Sequence, residues 1–160
     1  MNNWKEDKSW SDIFLPEIKS ILGIYLIGEA PMEEDRDRNT DLIVLKMEAI
    51  RIACRIRRKD YLNAYGNEFT IRCGRPSGME TELTKIIAGW GDYFFYGFGC
   101  EETKKLLSWT LADLKIFRLC FMRNLYKGER VEEIPNKDNS SKFIAFPWKN
   151  FPDNLIIARC

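Results

Sequence analysis

The most regular pattern in the chain is a strict alternation of side-chain types over residues 50–58, IRIACRIRR. Even-numbered positions from Ile50 to Ile56 are apolar, and odd-numbered positions carry arginine or alanine. A period of two residues is typical of a β-strand with one face on the core and the other on a polar environment. The pattern therefore predicts a strand whose polar face carries three arginines, Arg51, Arg55 and Arg57.

Other segments predict helices and strands on both sides of this strand. Helical spacing of apolar residues predicts helices near 15–26 and 79–89. Short apolar or alternating runs bounded by turn-forming residues predict further strands at 41–46, 68–73 and 92–98. Residues 46–49, KMEA, fit a hairpin turn between the first two strands.

The predicted order is a helix, three strands, a helix and another strand. A meander of three strands followed by a helix and a strand indicates an α/β fold with a mixed central sheet. The 160 residues suit one domain with its own core, and no linker divides the chain. We therefore expect a single domain over 1–160, with a core at about 11–98 and C-terminal additions at 99–160.

Three later segments are harder to interpret from the sequence. Residues 101–124 carry both helix and strand signals, and the length of the segment favours a helix for most of it. The aromatic stretch GWGDYFFYGFG fits a buried strand better than a set of rings that stack on bases. The runs KFIAF and NLIIARC predict one or two closing strands.

The composition contains no histidine. This excludes Ser-His-Asp and Cys-His nucleophiles, histidine metal sites and histidine acid–base catalysis. The catalytic groups that remain are carboxylates, lysine, arginine, tyrosine and cysteine.

The five cysteines are odd in number and form no C-x-x-C motif, so we expect reduced thiols. Cys54 and Cys120 lie in apolar runs and are expected to be small buried residues. The N-terminal MNNWKEDK lacks the apolar core of a signal peptide, and no apolar stretch is long enough to span a membrane. These features predict a cytoplasmic protein without membrane contact.

Positive charge is concentrated in one part of the chain. The net charge is only +1, but residues 46–75 contain eight basic residues against three acidic ones. Such a patch can neutralise several phosphates, and a solvated basic surface is the alternative. The candidate nucleic-acid-binding residues in it are Arg51, Arg57, Arg58, Lys59, Arg72 and Arg75. The strand arginines either pair with the acidic 29–41 loop and the first helix or line a phosphate-binding groove.

The αβββαβ order and three local features resemble the PD-(D/E)XK nuclease-like superfamily, whose fold is that of restriction endonucleases. Asp41 in RNTDLIVL resembles the family aspartate, and Ala53-Cys54-Arg55 stands at the place of its E-x-K motif. Glu17 is the candidate for the acid on the first helix. The resemblance covers about residues 11–98 and implies a DNA-acting protein of bacterial or phage origin.

The resemblance implies catalytic roles for Asp41, Arg55 and Glu17, with Asp41 as a ligand for Mg²⁺. Ala53 replaces the second family carboxylate, and arginine cannot act as a base. Asp41 can equally be a strand-entry residue that pairs with Arg55. The acids that could replace the missing ligand are Glu17, Glu48, Glu68, Glu80 and Glu82.

Two functions follow from these features. One is a metal-dependent DNA endonuclease or a catalytically impaired DNA-binding relative, with Mg²⁺ as cofactor only if it is catalytic. The other is a non-catalytic interaction or structural protein that keeps the fold without the metal site. DNA is the expected partner if the resemblance holds, and a homo-oligomer remains open.

Overall fold

A computed structural model describes residues 9–29, 42–44, 50–123 and 132–160. A helical turn at residues 9–12 precedes the first helix, and short 3-10 turns cover Lys59–Tyr61, Trp148–Asn150 and Asp153–Leu155. In chain order the helices and strands are α1 Leu15–Leu26, β1 Ile27–Glu29, β2 Leu42–Val44, β3 Ile52–Arg58, α2 Leu62–Tyr65, β4 Glu68–Gly74, α3 Glu82–Ile87, β5 Tyr93–Cys100, β6 Lys105–Asp113, α4 Leu114–Met122, β7 Ile134–Pro135, β8 Lys142–Pro147 and β9 Ile156–Arg159.

The central sheet has the strand order β3-β5-β6-β9. Strands β3 and β5 are parallel, while β5 with β6 and β6 with β9 are antiparallel. A second, antiparallel sheet has the order β4-β8-β7, and β1 pairs with β2. The predicted class, a single-domain α/β fold with a mixed sheet, is therefore confirmed.

The core lies on both faces of the central sheet. Helix α1 covers one face, where Phe14 and Ile18 pack against Ile56 and Phe95. The second sheet and helices α3 and α4 cover the other face, where Phe94, Tyr96 and Phe98 of β5 meet aromatic residues of β4, β8 and α4. Buried aromatic side chains carry a large hydrophobic driving force, so this aromatic cluster joins the two sheets.

Strand β5 is buried from Phe94 to Cys100. This part of the aromatic stretch is thus a core strand, as predicted, and the rings of Phe94, Phe95, Tyr96 and Phe98 are not available to stack on bases. Gly99 has a specific packing role, because a Cβ at this position would lie 2.3 Å from the ring of Phe14. The absence of a side chain here allows the ring of Phe14, the residue before α1, to pack against the sheet.

Strand positions agree with the prediction more closely than strand pairing does. Strands β3, β4 and β5 and helices α1 and α3 lie where they were expected, and residues 42–44 form a strand. The predicted meander of three neighbouring strands is not formed by the described residues: β2 pairs with β1, β3 with β5, and β4 with β8. The predicted turn at 46–49 lies outside the described residues.

The helix favoured over 101–124 is wrong for its first half, which is strand β6. The helix begins only at Leu114, after Asp113 caps it by accepting hydrogen bonds from the N–H groups of Lys115 and Ile116. Residues 110–112 are buried between β5 and β9, so tertiary pairing decides the conformation here. The two predicted closing strands are present as β8 and β9.

All five cysteines are free thiols. Cys120 is buried as predicted, whereas Cys54 is exposed. Cys54 lies on β3, which is an edge strand of the central sheet in the described part of the chain. None of the described helices combines the length and apolar character needed to cross a membrane.

Candidate functional site

A groove of about 770 Å³ runs along β3, between the edge of the central sheet and the second sheet. Six cationic side chains and two carboxylates, Glu80 and Glu82, line it. We call it the cationic groove; its cationic residues are Arg55, Arg57, Arg58, Arg72, Arg75 and Lys85. The groove therefore collects five of the eight basic residues that the sequence concentrates between residues 46 and 75, and it adds a lysine from α3.

Arg55 occupies the middle of the cationic groove and links three elements. Its Nη1 atom donates to the Glu82 carboxylate at 2.8 Å and to the carbonyl oxygen of Thr70 at 2.9 Å. The same Glu82 oxygen accepts the backbone N–H of Arg72 at 3.1 Å. Arg55 and Glu82 are about one quarter exposed. This pair joins β3, β4 and α3, so Arg55 has a structural role in addition to its charge.

Arg57 lies against two tyrosines instead of a carboxylate. Its guanidinium carbon is 4.4 Å from the ring centroid of Tyr61 and 5.1 Å from that of Tyr65. The 3-10 turn after β3 continues into α2, which places the two rings four residues apart on one side of a helical turn. Burial raises the pKa of nearby Glu68, and the charge of Arg57 opposes that rise.

Arg58 is exposed on the opposite face of β3 from Arg57 and lines the groove together with Trp10. Its guanidinium carbon lies 5.8 Å from the centroid of the Trp10 ring. Arg57 and Arg58 thus both sit beside aromatic rings at the C-terminal end of β3. Such cation–π contacts contribute about 0.5–1 kcal/mol at exposed sites. They hold the arginines in place and leave the guanidinium N–H groups able to donate to an anion.

The other end of the groove is formed by Arg72, Arg75 and Lys85. Arg75 lies in the turn that follows β4, where its carbonyl oxygen accepts the N–H of Gly78 at 3.0 Å. Gly78 has a φ of +68°, a left-handed conformation that favours glycine and closes the turn. Lys85 is exposed on α3.

Arg51 and Lys59, two of the predicted nucleic-acid-binding residues, lie outside the groove lining. The Arg51 guanidinium lies 5.8 Å from the ring centroid of exposed Trp90. Lys59 forms an ion pair of 2.6 Å with Glu102, which also accepts a hydrogen bond from the Cys100 thiol. The hydrogen bond from Cys100 and the one from Lys59 lower the pKa of Glu102 to about 2.

Glu17 does not line the groove. Glu17 accepts the backbone N–H of Leu106 at 2.8 Å, which ties α1 to the start of β6. Helix α1 covers the opposite face of the sheet from the one that carries Arg55. Asp41, the predicted metal ligand and catalytic acid, lies outside the described residues.

The described groove residues do not suit a Mg²⁺ site. Ala53, at the position of the family carboxylate, packs against the aromatic core. Glu82 is engaged by Arg55 and by the Arg72 backbone. Among the residues that the structure describes, no three cysteine or acidic side chains come together as a metal site would require. The described groove lining thus has six cationic side chains against two carboxylates.

Sequence reasoning missed two features of this site. It named Glu82 only as a substitute metal ligand, whereas Glu82 is the partner of Arg55. It also missed Tyr61 and Tyr65, although their four-residue spacing in YLNAY right after the arginine strand was a readable signal. Comparison of the chain with protein-family models, with curated proteins and with solved structures finds no significant match.

Proposed function

We propose that this protein binds nucleic acid, with DNA as the expected partner, through phosphodiester contacts in the cationic groove. One observation carries the proposal: in the part of the chain that the structure describes, Arg57, Arg58 and Arg75 line the groove and no carboxylate lies within ion-pair distance of them. Arginine offers five N–H donors in a planar fork that matches phosphate oxygens. Several such groups in one groove match a polyanion better than a small uncharged ligand.

Binding without hydrolysis is the form of this function that the groove residues support. The resemblance to PD-(D/E)XK nucleases suggested a metal-dependent cleavage site on the same strand. Ala53 contributes a core methyl group there, and Glu82 is held by Arg55. We therefore propose a DNA-binding relative of that superfamily in which phosphate recognition does not depend on Mg²⁺.

A second candidate is a non-catalytic interaction or structural protein. The Arg55–Glu82 ion pair favours it, because this arginine is already satisfied by Glu82 and the Thr70 carbonyl. In that case the remaining groove arginines would only be solvated surface charges. The two candidates differ in one measurable quantity, the affinity for polyanions at low salt.

The test is fluorescence anisotropy with labelled single-stranded and duplex DNA over a salt series, using Arg58→Ala and Arg75→Ala. Each substitution should weaken binding by about 1.5–3 kcal/mol, the range for hydrogen bonds to charged groups. Each should also lower the slope of log affinity against log salt by roughly 0.7–0.9, the value for one phosphate contact. Arg51→Ala is the matched control, because it removes the same charge from outside the groove.

The proposal fails if the parent protein binds no DNA at low salt, or if Arg51→Ala weakens binding as much as the groove substitutions do. In a separate experiment, the same DNA is incubated with the protein and Mg²⁺ or Mn²⁺, and cleavage is measured. Metal-dependent cleavage would overturn the non-hydrolytic form of the proposal, while leaving the groove as the binding site.

A further inference from the structure

Two exposed tyrosines mark one end of the cationic groove. Tyr61 lines the groove, and Tyr61 and Tyr65 are 39% and 42% exposed. Their ring centroids are 6.1 Å apart, with an angle of 40° between the ring planes. Large aromatic side chains are costly to leave in water, and neither ring belongs to a core cluster. This pair is therefore an aromatic surface beside a cationic one.

Arg57 holds the tyrosine pair in place. Its guanidinium lies within about 5 Å of both ring centroids and bridges the two side chains. Arg57 itself projects from β3, a strand of the central sheet. The rings are thus supported by a rigid element, which reduces the entropy lost when another planar group stacks on them.

The groove has an aromatic end and a cationic end. Arg55, in the middle of β3, contacts Thr70 of β4, and only residues 59–67 separate the end of β3 from the start of β4. Arg58 and the tyrosines therefore lie toward one end, and Arg75 lies toward the other. A seven-residue strand spans about 20 Å, which is long enough for several nucleotides.

We propose that the groove takes single-stranded nucleic acid, with unpaired bases stacked on Tyr61 and Tyr65 and phosphates bound by Arg58 and Arg75. This inference rests on the proposed function and adds the substrate class. Base–aromatic stacking in a cationic groove is the usual mode of single-strand binding. The bases of a duplex are stacked on each other and cannot stack on a tyrosine at the groove surface.

The test compares a labelled oligothymidylate of about 12 nucleotides, the matching oligouridylate and a DNA duplex of equal length, within the range of known site sizes. The variant Tyr61→Leu/Tyr65→Leu removes two stacking surfaces at about 1–3 kcal/mol each, so it should lose about thirtyfold or more in single-strand affinity and keep its duplex affinity. Tyr61→Phe/Tyr65→Phe keeps the ring faces and should restore binding. Trp90→Leu removes a 62% exposed ring that also lies beside an arginine but outside the groove, and should change nothing.

The outcomes separate this inference from the proposed function. Equal losses for single-stranded and duplex DNA in the leucine variant, or no loss for either, overturn the stacking role while the arginine variants still test the groove. A parent protein that binds duplex more tightly than single strands also overturns it. Tighter binding of either the oligothymidylate or the oligouridylate than of the duplex supports the inference, and the preference between the two shows whether the ligand is DNA or RNA. Circular dichroism and the urea midpoint of each variant show whether it is folded.

Discussion

Removal of Glu82 should weaken the fold and strengthen polyanion binding at the same time. In Glu82→Ala, Arg55 loses its carboxylate partner at 2.8 Å and the Arg72 N–H loses its acceptor at 3.1 Å. Among the described residues, Arg55 then keeps its hydrogen bond to the carbonyl oxygen of Thr70. The freed guanidinium stays within the groove lining, and one negative charge leaves the groove.

The loss of stability follows from these two hydrogen bonds. A hydrogen bond to a charged group contributes about 1.5–3 kcal/mol. The Arg55 and Glu82 side chains are 24% and 28% exposed, so water replaces part of each bond and screens the ion pair. We therefore expect a loss of about 2–3 kcal/mol in the free energy of unfolding, or roughly 5–10 °C in Tm for a domain of this size.

Affinity for single-stranded DNA should rise by about 1 kcal/mol, or about fivefold, because one repulsive charge is removed from the groove. Urea denaturation followed by tryptophan fluorescence measures the first quantity, and fluorescence anisotropy measures the second. The control is Glu80→Ala, since Glu80 is an exposed carboxylate of the same groove with no ion pair among the described residues. It should tighten binding equally and change stability by less than about 0.5 kcal/mol.

The stabilising role of the Arg55–Glu82 pair is refuted if Glu82→Ala unfolds at the same urea concentration as the parent protein. That result would mean that the Arg55–Glu82 pair contributes nothing measurable to the junction of β3, β4 and α3. A lower DNA affinity in a folded Glu82→Ala protein would contradict the electrostatic part, because it would require Glu82 to take part in binding.

Three further predictions concern packing, capping and titration. Gly99→Ala should lower the free energy of unfolding by about 1–3 kcal/mol, because its Cβ would lie 2.3 Å from the buried ring of Phe14. Gly23→Ala, with no described atom within 4 Å of its Cβ, should stabilise helix α1 by about 0.5–1 kcal/mol. Urea midpoints in the reverse order would contradict this. Asp113→Ala should cost about 1 kcal/mol by removing the cap of α4, while the asparagine variant should keep most of it, as thermal unfolding of both can show. Glu102 should titrate near pH 2 in carboxyl NMR spectra. Its contribution to stability is therefore complete above pH 4.5 and disappears as the pH falls toward 2. A titration midpoint at pH 4.5 would disprove the hydrogen bonds that Glu102 accepts from the Cys100 thiol and the Lys59 ammonium group.

Local patterns along the chain were sufficient to locate most of the elements. The alternation at 50–58 predicted β3, and the aromatic run at 92–98 predicted a buried strand. These signals depend on residues a few positions apart, which share a face of the same element. The concentration of positive charge near β3 was equally visible, because it is a property of composition. The absence of histidine likewise limits the chemistry that this chain can perform in any fold.

Tertiary structure alone decided which strands pair and which charges meet. Residues 105–113 lie in the segment whose sequence carries both helix and strand signals, and burial between β5 and β9 makes them a strand. Glu82 is 27 positions from Arg55, and no local spacing connects them. They meet because α3 packs against β4 and the Arg55 side chain reaches both elements. Side-chain periodicity specifies which face is buried, whereas the choice of partner depends on the total burial and loop closure of the whole chain. The groove and its tyrosines arise from that choice, because they lie where two separate sheets meet.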